Sequence, residues 1–245
     1  MLRAEVLKLT TTPAVLGLLA GAVVVAGLGA VSTTASADPA SLARPLHSQN
    51  VFLLASINIG LFALILGMRS FTDEFRHGTI AWTLLSVRER WRVVAAKMTT
   101  SALAAAAIAV VALAVMVGLT ALLSPAKGVT LSLSGADLAA AAGLSVAAVV
   151  WASLGVAVGA LVRHQVAAVV GGLVWVLVVE NLASGLLGDA GRFLPGQAAH
   201  AVANATAASA LLPVWAAVTV LFAYLVGLGL LAAATLSRRE VALAA

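Results

Sequence analysis

Residues 98–123 read MTTSALAAAAIAVVALAVMVGLTALL, 26 positions without one charged side chain. At 1.5 Å per helical residue, the run exceeds the roughly 20 residues that cross a hydrocarbon core about 30 Å thick. It lacks the period-two alternation of a barrel strand, and in lipid every backbone N–H and C=O needs an internal partner. The stretch therefore predicts a membrane-spanning helix.

Working outward, five further apolar runs have the same character. Spans are predicted at about Pro13–Ser32, Val51–Phe71, Val93–Leu123, Leu138–Val162, Val166–Leu187 and Pro213–Leu236. Together they predict an all-α integral membrane fold, one transmembrane domain over residues 1–245. The composition agrees: 62% of residues are hydrophobic and 9% charged, against roughly 25% charged in soluble domains. A net charge of +5 would point to nucleic acid in a soluble protein, but here the bases gather beside the spans. With no cysteine, disulfides, thiolate metal sites and cysteine nucleophiles are excluded.

Lys and Arg set the orientation. Arg3, Lys8, Arg69, Arg76, Arg88, Arg90, Arg92, Lys97, Arg163, Arg238 and Arg239 fall on one side, and Arg44, Lys127 and Arg192 on the other. The bias predicts cytoplasmic N and C termini. Ala35-Ser36-Ala37 resembles a signal-peptidase site, but the apolar run before it is too long and Glu5 is out of place in a basic leader, so the first span is expected to be retained. Gly17 and Gly21, Gly155 and Gly159, and Gly171 and Gly172 place small residues on helix faces, where they predict close packing between helices.

The connection between spans two and three, RSFTDEFRHGTIAWTLLSVRERWRVVAAK over Arg69–Lys97, holds six of the eleven bases on its side. Span two is predicted to continue as an amphipathic helix to Gly78, which ends it in a left-handed conformation. Thr79 is predicted to cap a short apolar helix, Ile80 to Leu85. Ser86 and Glu89 then form a capping-box pattern for the helix that becomes span three. Two readings of the apolar knuckle stand side by side: an interfacial segment anchored by Trp82 and Trp91, or a plug for a groove on a soluble partner.

The run Glu74-Phe75-Arg76-His77-Gly78-Thr79-Ile80, followed by Thr83-Leu84-Leu85, Arg90 and Ala96-Lys97, resembles the membrane subunits of ABC-2 type ABC transporters. In that family a cytoplasmic coupling helix joins spans two and three and sits in a cleft of the ATPase subunit. The resemblance implies that Gly78 and Thr79 open this helix. Ile80, Trp82, Leu84 and Leu85 would form its docking face, and Glu74 and Lys97 would belong to the flanking helices. Six spans, Glu180-Asn181 in span five and Phe193-Leu194-Pro195 after it also resemble the family; Arg88 departs from it, since such permeases often carry proline there. The family implies a permease of a bacterial inner-membrane exporter, paired with a second copy or sibling permease, with ATP and Mg bound on the ATPase. No G-x-x-x-x-G-K-[ST] occurs in this chain, so no P-loop nucleotide site is expected in it.

Glu180 is the one acid deep in a span, roughly 10 Å from its outer end at helical rise. A carboxylate there should face protein or a water-filled cavity. It reads either as a substrate-path or proton-linked group, which would suit a secondary transporter, or as a structural acid bonded to the loops between spans five and six. Asn58 and Asn181 are expected to bond across helices. His47 and His200 are expected at the surface, and with histidines this scattered no metal site is expected. An intramembrane enzyme would need paired acids, a Ser–His pair or H-E-x-x-H, and none is present. The apolar segment after Pro195 predicts one or two short re-entrant helices.

Overall fold

The structure, a computed structural model, describes residues 13–87, 89–203 and 211–241. Arg3, Glu5, Lys8 and Arg88 lie outside the described residues. Among the described residues the secondary structure is helical throughout, and six helices are long and apolar enough to cross a membrane. Span one is α1 (Pro13–Ser36), followed by a short turn of helix, α2 (Pro39–Leu42). Span two is α3 (Asn50–Arg76), the knuckle is α4 (Ile80–Ser86), and span three is α5 (Arg90–Leu123). Span four is α6 (Gly135–Val162). Span five is broken into α7 (Gln165–Val174), a π turn (Trp175–Val179) and α8 (Glu180–Leu186). After α9 (Pro195–Ala203), span six is α10 (Val214–Val241).

Spans two and four form the axis of the bundle, and the reason lies in three glycines. A Cβ on Gly67 would collide with the Ala152 carbonyl, one on Gly155 with the Leu64 carbonyl, and one on Gly159 with the Met68 carbonyl. The two backbones touch along this strip, which is how helices gain dispersion contact in lipid, where apolar burial alone supplies little drive. The pair Gly155 and Gly159 thus packs within the chain. Gly67, which has no glycine partner at four-residue spacing, completes the strip. Gly21 and Gly172 make looser approaches, to the ring of Phe62 and the side chain of Met68, whereas Gly17 and Gly171 face open space. Spans one and three complete the core beside span two through small and aliphatic side chains such as Ala26, Ile59, Ala109 and Met116.

The ends of the helices differ from expectation in two places. Span three does not start from Ser86, where the capping-box pattern puts its cap. The chain is extended at Val87 and Glu89, α5 starts only at Arg90, and the Glu89 carboxylate accepts from Trp91 Nε1 at 2.8 Å and pairs with Arg92 at 2.9 Å. Nor does the Thr79 side chain cap α4. A reciprocal capping box occurs instead at the start of span four, where Ser134 Oγ accepts from the Asp137 amide and Asp137 accepts from the Ser134 amide at 2.9 Å. Aspartate does here what the longer glutamate does in the usual pattern.

Candidate functional site

At the end of the bundle where Arg76, Arg90 and Arg163 lie, span two runs through Glu74 to Arg76 and stops because Gly78 adopts φ +68°, a left-handed conformation costly for any residue with a Cβ. The chain reverses into α4, whose two sides differ. Ile80 and Leu84, four residues apart, lie against a cluster built from Phe71 of span two, Val93 and Val94 of span three, Val156 and Ala160 of span four and Leu236 of span six. Trp82 and Leu85 point away from the protein, 76% and 80% exposed. The expected docking set is thereby divided: half of it is the root of the knuckle and half its free surface. The Arg90 guanidinium donates to the Leu84 carbonyl, satisfying the end of α4.

Glu74 and Lys97 meet beneath this knuckle. Lys97 Nζ lies 2.9 Å from Glu74 Oε1, donates at 2.7 Å to the Ser70 carbonyl and stands 5.2 Å from the centre of the Phe71 ring. Both side chains are buried. A desolvated ion pair is tolerable only when its geometry is good; here the ammonium also donates to Ser70 and faces the Phe71 ring, while Glu74 Oε2 accepts no hydrogen bond among the described residues. The pair fixes the angle between spans two and three, the flanks of α4. Arg163, in the turn between spans four and five, adopts φ 61°; its guanidinium lies 5.4 Å from the Phe75 ring centre and donates to the Thr235 carbonyl at 3.3 Å. This side chain links span two to span six. Its basic charge was legible in the sequence, but its strained backbone and its two partners were not.

A second site lies toward the other end of the bundle. Glu180, 3% exposed, turns its carboxylate onto the first turn of α9: Oε1 accepts from the Gly196 amide and, at 3.3 Å, from the Gln197 amide. A carboxylate satisfies the orphan donors of a helix start and complements its positive end. A Cβ on Gly196 would fall 2.6 Å from Oε1, so only glycine admits this approach. The α9 segment folds back into the bundle, with Ala198, Ala199, Ala201 and Val202 buried against spans four and six, and Gly143 of span four receives the Val202 carbonyl.

Beside Glu180 lies a cavity of about 140 Å³ between spans two, four and five and α9, with Trp151, Asn181 and His200 on its wall. His200 is thus partly buried rather than on the surface, and burial holds its imidazole below the usual range. Asn58 reaches across to the Ala22 carbonyl of span one at 3.5 Å, a marginal bond. Asn181 does not bond across helices: its amide turns back on the carbonyls of Val176 and Leu177, at 3.2 and 3.1 Å. The π turn perturbs the local ladder there, and the side chain supplies donors to it.

The fold and these sites define a multi-pass helical membrane protein. No protein-family model matches the chain, and no curated protein or solved structure matches it either.

Proposed function

We propose that the chain is the membrane-spanning subunit of an ABC-2 type exporter in a bacterial inner membrane. Its N and C termini and α4 would lie in the cytoplasm, and it would be driven by a separate ATPase subunit that holds ATP and Mg. The observation that carries this reading is the construction of α4. A seven-residue helix after a left-handed glycine presents Trp82 and Leu85 outward, while its other side is rooted in a cluster shared by four spans. An exposed apolar tip on a braced root suits a lever: a groove that grips Trp82 and Leu85 would move spans two and three together, because Glu74 and Lys97 hold them at one angle. The excess of Lys and Arg at this end favours a cytoplasmic location.

Six spans leave wide apolar faces on spans one, five and six, which suits pairing with a second copy or a sibling permease within the bilayer. The apolar walls favour a hydrophobic or amphipathic cargo, such as a drug, lipid or peptide. The hydrogen bonds from Gly196 and Gln197 to Glu180 favour a structural task for that carboxylate over proton coupling.

Affinity purification of the full chain from its native membrane, with an ATP-hydrolysis assay on the product, tests the proposal. An ATPase chain should co-purify in fixed ratio, and Trp82→Asp with Leu85→Asp should release it while the permease stays folded in the membrane. A transport-active preparation with no ATPase chain, indifferent to ATP, overturns the reading.

A further inference from the structure

The cavity beside Glu180 is lined by one acid and, among the described residues, by no lysine or arginine. The rest of the wall is mostly carbon, from Leu61, Leu64, Val176 and the Trp151 indole. The carboxylate has no ion-pair partner among the described residues, and Oε2 accepts no hydrogen bond there. Of the bases at this end, Arg192 pairs with Asp189 at 2.7 Å, Lys127 donates to the Ala35 and Ala37 carbonyls, and Arg44 lines a separate pocket with Asp38. A buried carboxylate in an apolar wall is costly unless a positive charge meets it, and the start of α9 offers only about half a charge.

The chemistry of the wall says what kind of cation fits. Among the described residues no group of three or more Asp, Glu, His or Cys side chains is placed to hold a metal ion, and one carboxylate is too few for a hard cation. An ammonium group on an apolar body meets the carboxylate at one end and carbon at the other, and an indole face attracts such cations. A cavity of about 140 Å³ has room for about one aromatic ring, since an engineered cavity of roughly 150 Å³ admits benzene.

We propose that this cavity binds small organic ammonium compounds, with Glu180 as the counter-charge and Trp151 with the aliphatic wall holding the apolar body. The binding stands whether or not an ATPase drives the chain; only the further step, that such cations are the cargo, rests on the exporter reading.

The test is calorimetric titration of the full chain in lipid nanodiscs, with empty nanodiscs as the blank and no ATP or partner present. Cyclopentylammonium, with as many heavy atoms as benzene, is compared with cyclopentanol, which matches its shape but carries no charge. Saturable binding of the ammonium at least tenfold tighter than the alcohol is expected. Glu180→Gln should lower it tenfold or more, and Ser56→Leu, which fills the cavity and leaves Glu180 in place, should abolish it. If Glu180→Gln fails to fold, the ammonium–alcohol comparison and Ser56→Leu decide alone. Absence of saturable binding to the wild-type chain, equal affinity for the two probes, or undiminished binding in folded Glu180→Gln overturns the proposal. Failure here leaves co-purification of an ATPase unaffected, so the two readings fall separately.

Discussion

Lys97 Nζ and Glu74 Oε1, 23 positions apart in sequence, lie 2.9 Å from each other in a place where their side chains are only 1% and 7% exposed. Removing one partner strands the other charge in a low-dielectric site, which typically costs about 3–5 kcal/mol, whereas exchanging both for apolar groups of similar volume is often neutral. Lys97→Met and Glu74→Gln are each expected to lower the melting temperature sharply. Lys97→Met combined with Glu74→Leu should recover most of the loss. A double-mutant cycle on thermal unfolding in detergent checks the coupling; additive losses would show that the pair is not the source.

The two sides of α4 should respond in opposite ways to the same substitution. Trp82→Asp and Leu85→Asp change exposed tips and should alter stability by about 0.5 kcal/mol or less. Ile80→Asp and Leu84→Asp drive a charge into the cluster of Phe71, Val93 and Val156 and should destabilise by about 2 kcal/mol or more. Melting curves of the four variants separate the faces, and equal losses at all four positions would contradict the arrangement.

Glycines that look alike in the sequence should differ widely in tolerance. Gly67→Ala, Gly155→Ala and Gly159→Ala each push a methyl group into a neighbouring carbonyl and should cost about 1–3 kcal/mol or more. Gly17→Ala and Gly171→Ala meet nothing, and should be neutral or stabilise by about 0.5–1 kcal/mol through helix propensity. Gly172→Ala meets only the flexible end of Met68 and should fall between. Ranking the six by melting temperature is the measurement.

His200 ties stability to pH. Burial lowers its folded pKa beneath the ordinary value of 6.5, so the unfolded chain binds a proton first as the medium acidifies. The contribution from this group is whole above pH 6.5 and is lost as pH falls through the window between the unfolded and folded values. The melting temperature of the wild-type chain should drop across that acid window, and His200→Gln should flatten the drop. A profile unchanged by the substitution would place the dependence elsewhere.

The six apolar runs were legible in the sequence because lipid imposes length and composition on any helix that crosses it. Gly78 and the short helix after it were legible for a local reason, the backbone demand of a reversal. What escaped were pairings set by the third dimension. Glu89 looked like half of a capping box, but Trp91 and Arg92 outbid the backbone for its carboxylate. Glu180 showed its cost in the sequence but not its partners, since the amides of Gly196 and Gln197 reach it only after α9 folds back. Gly67 carried no spacing signal of its own, because its counterparts lie on another helix.

The π turn at Trp175–Val179 holds one residue more than α-helical winding would place there. Each residue of an α-helix advances the wheel by about 100°, so the two halves of span five are out of phase by about that angle. Gly172 and Glu180, eight apart, would stand about 80° apart on a continuous helix, and the π turn brings them to within about 20° of one line. Gly172 packs on Met68 of span two, and Glu180 borders the cavity that Leu64 of span two also walls, while its carboxylate takes the amides of α9. A helical wheel drawn through the whole span thus hides their alignment, and the skipped beat lets one helix present both residues on the side of span two.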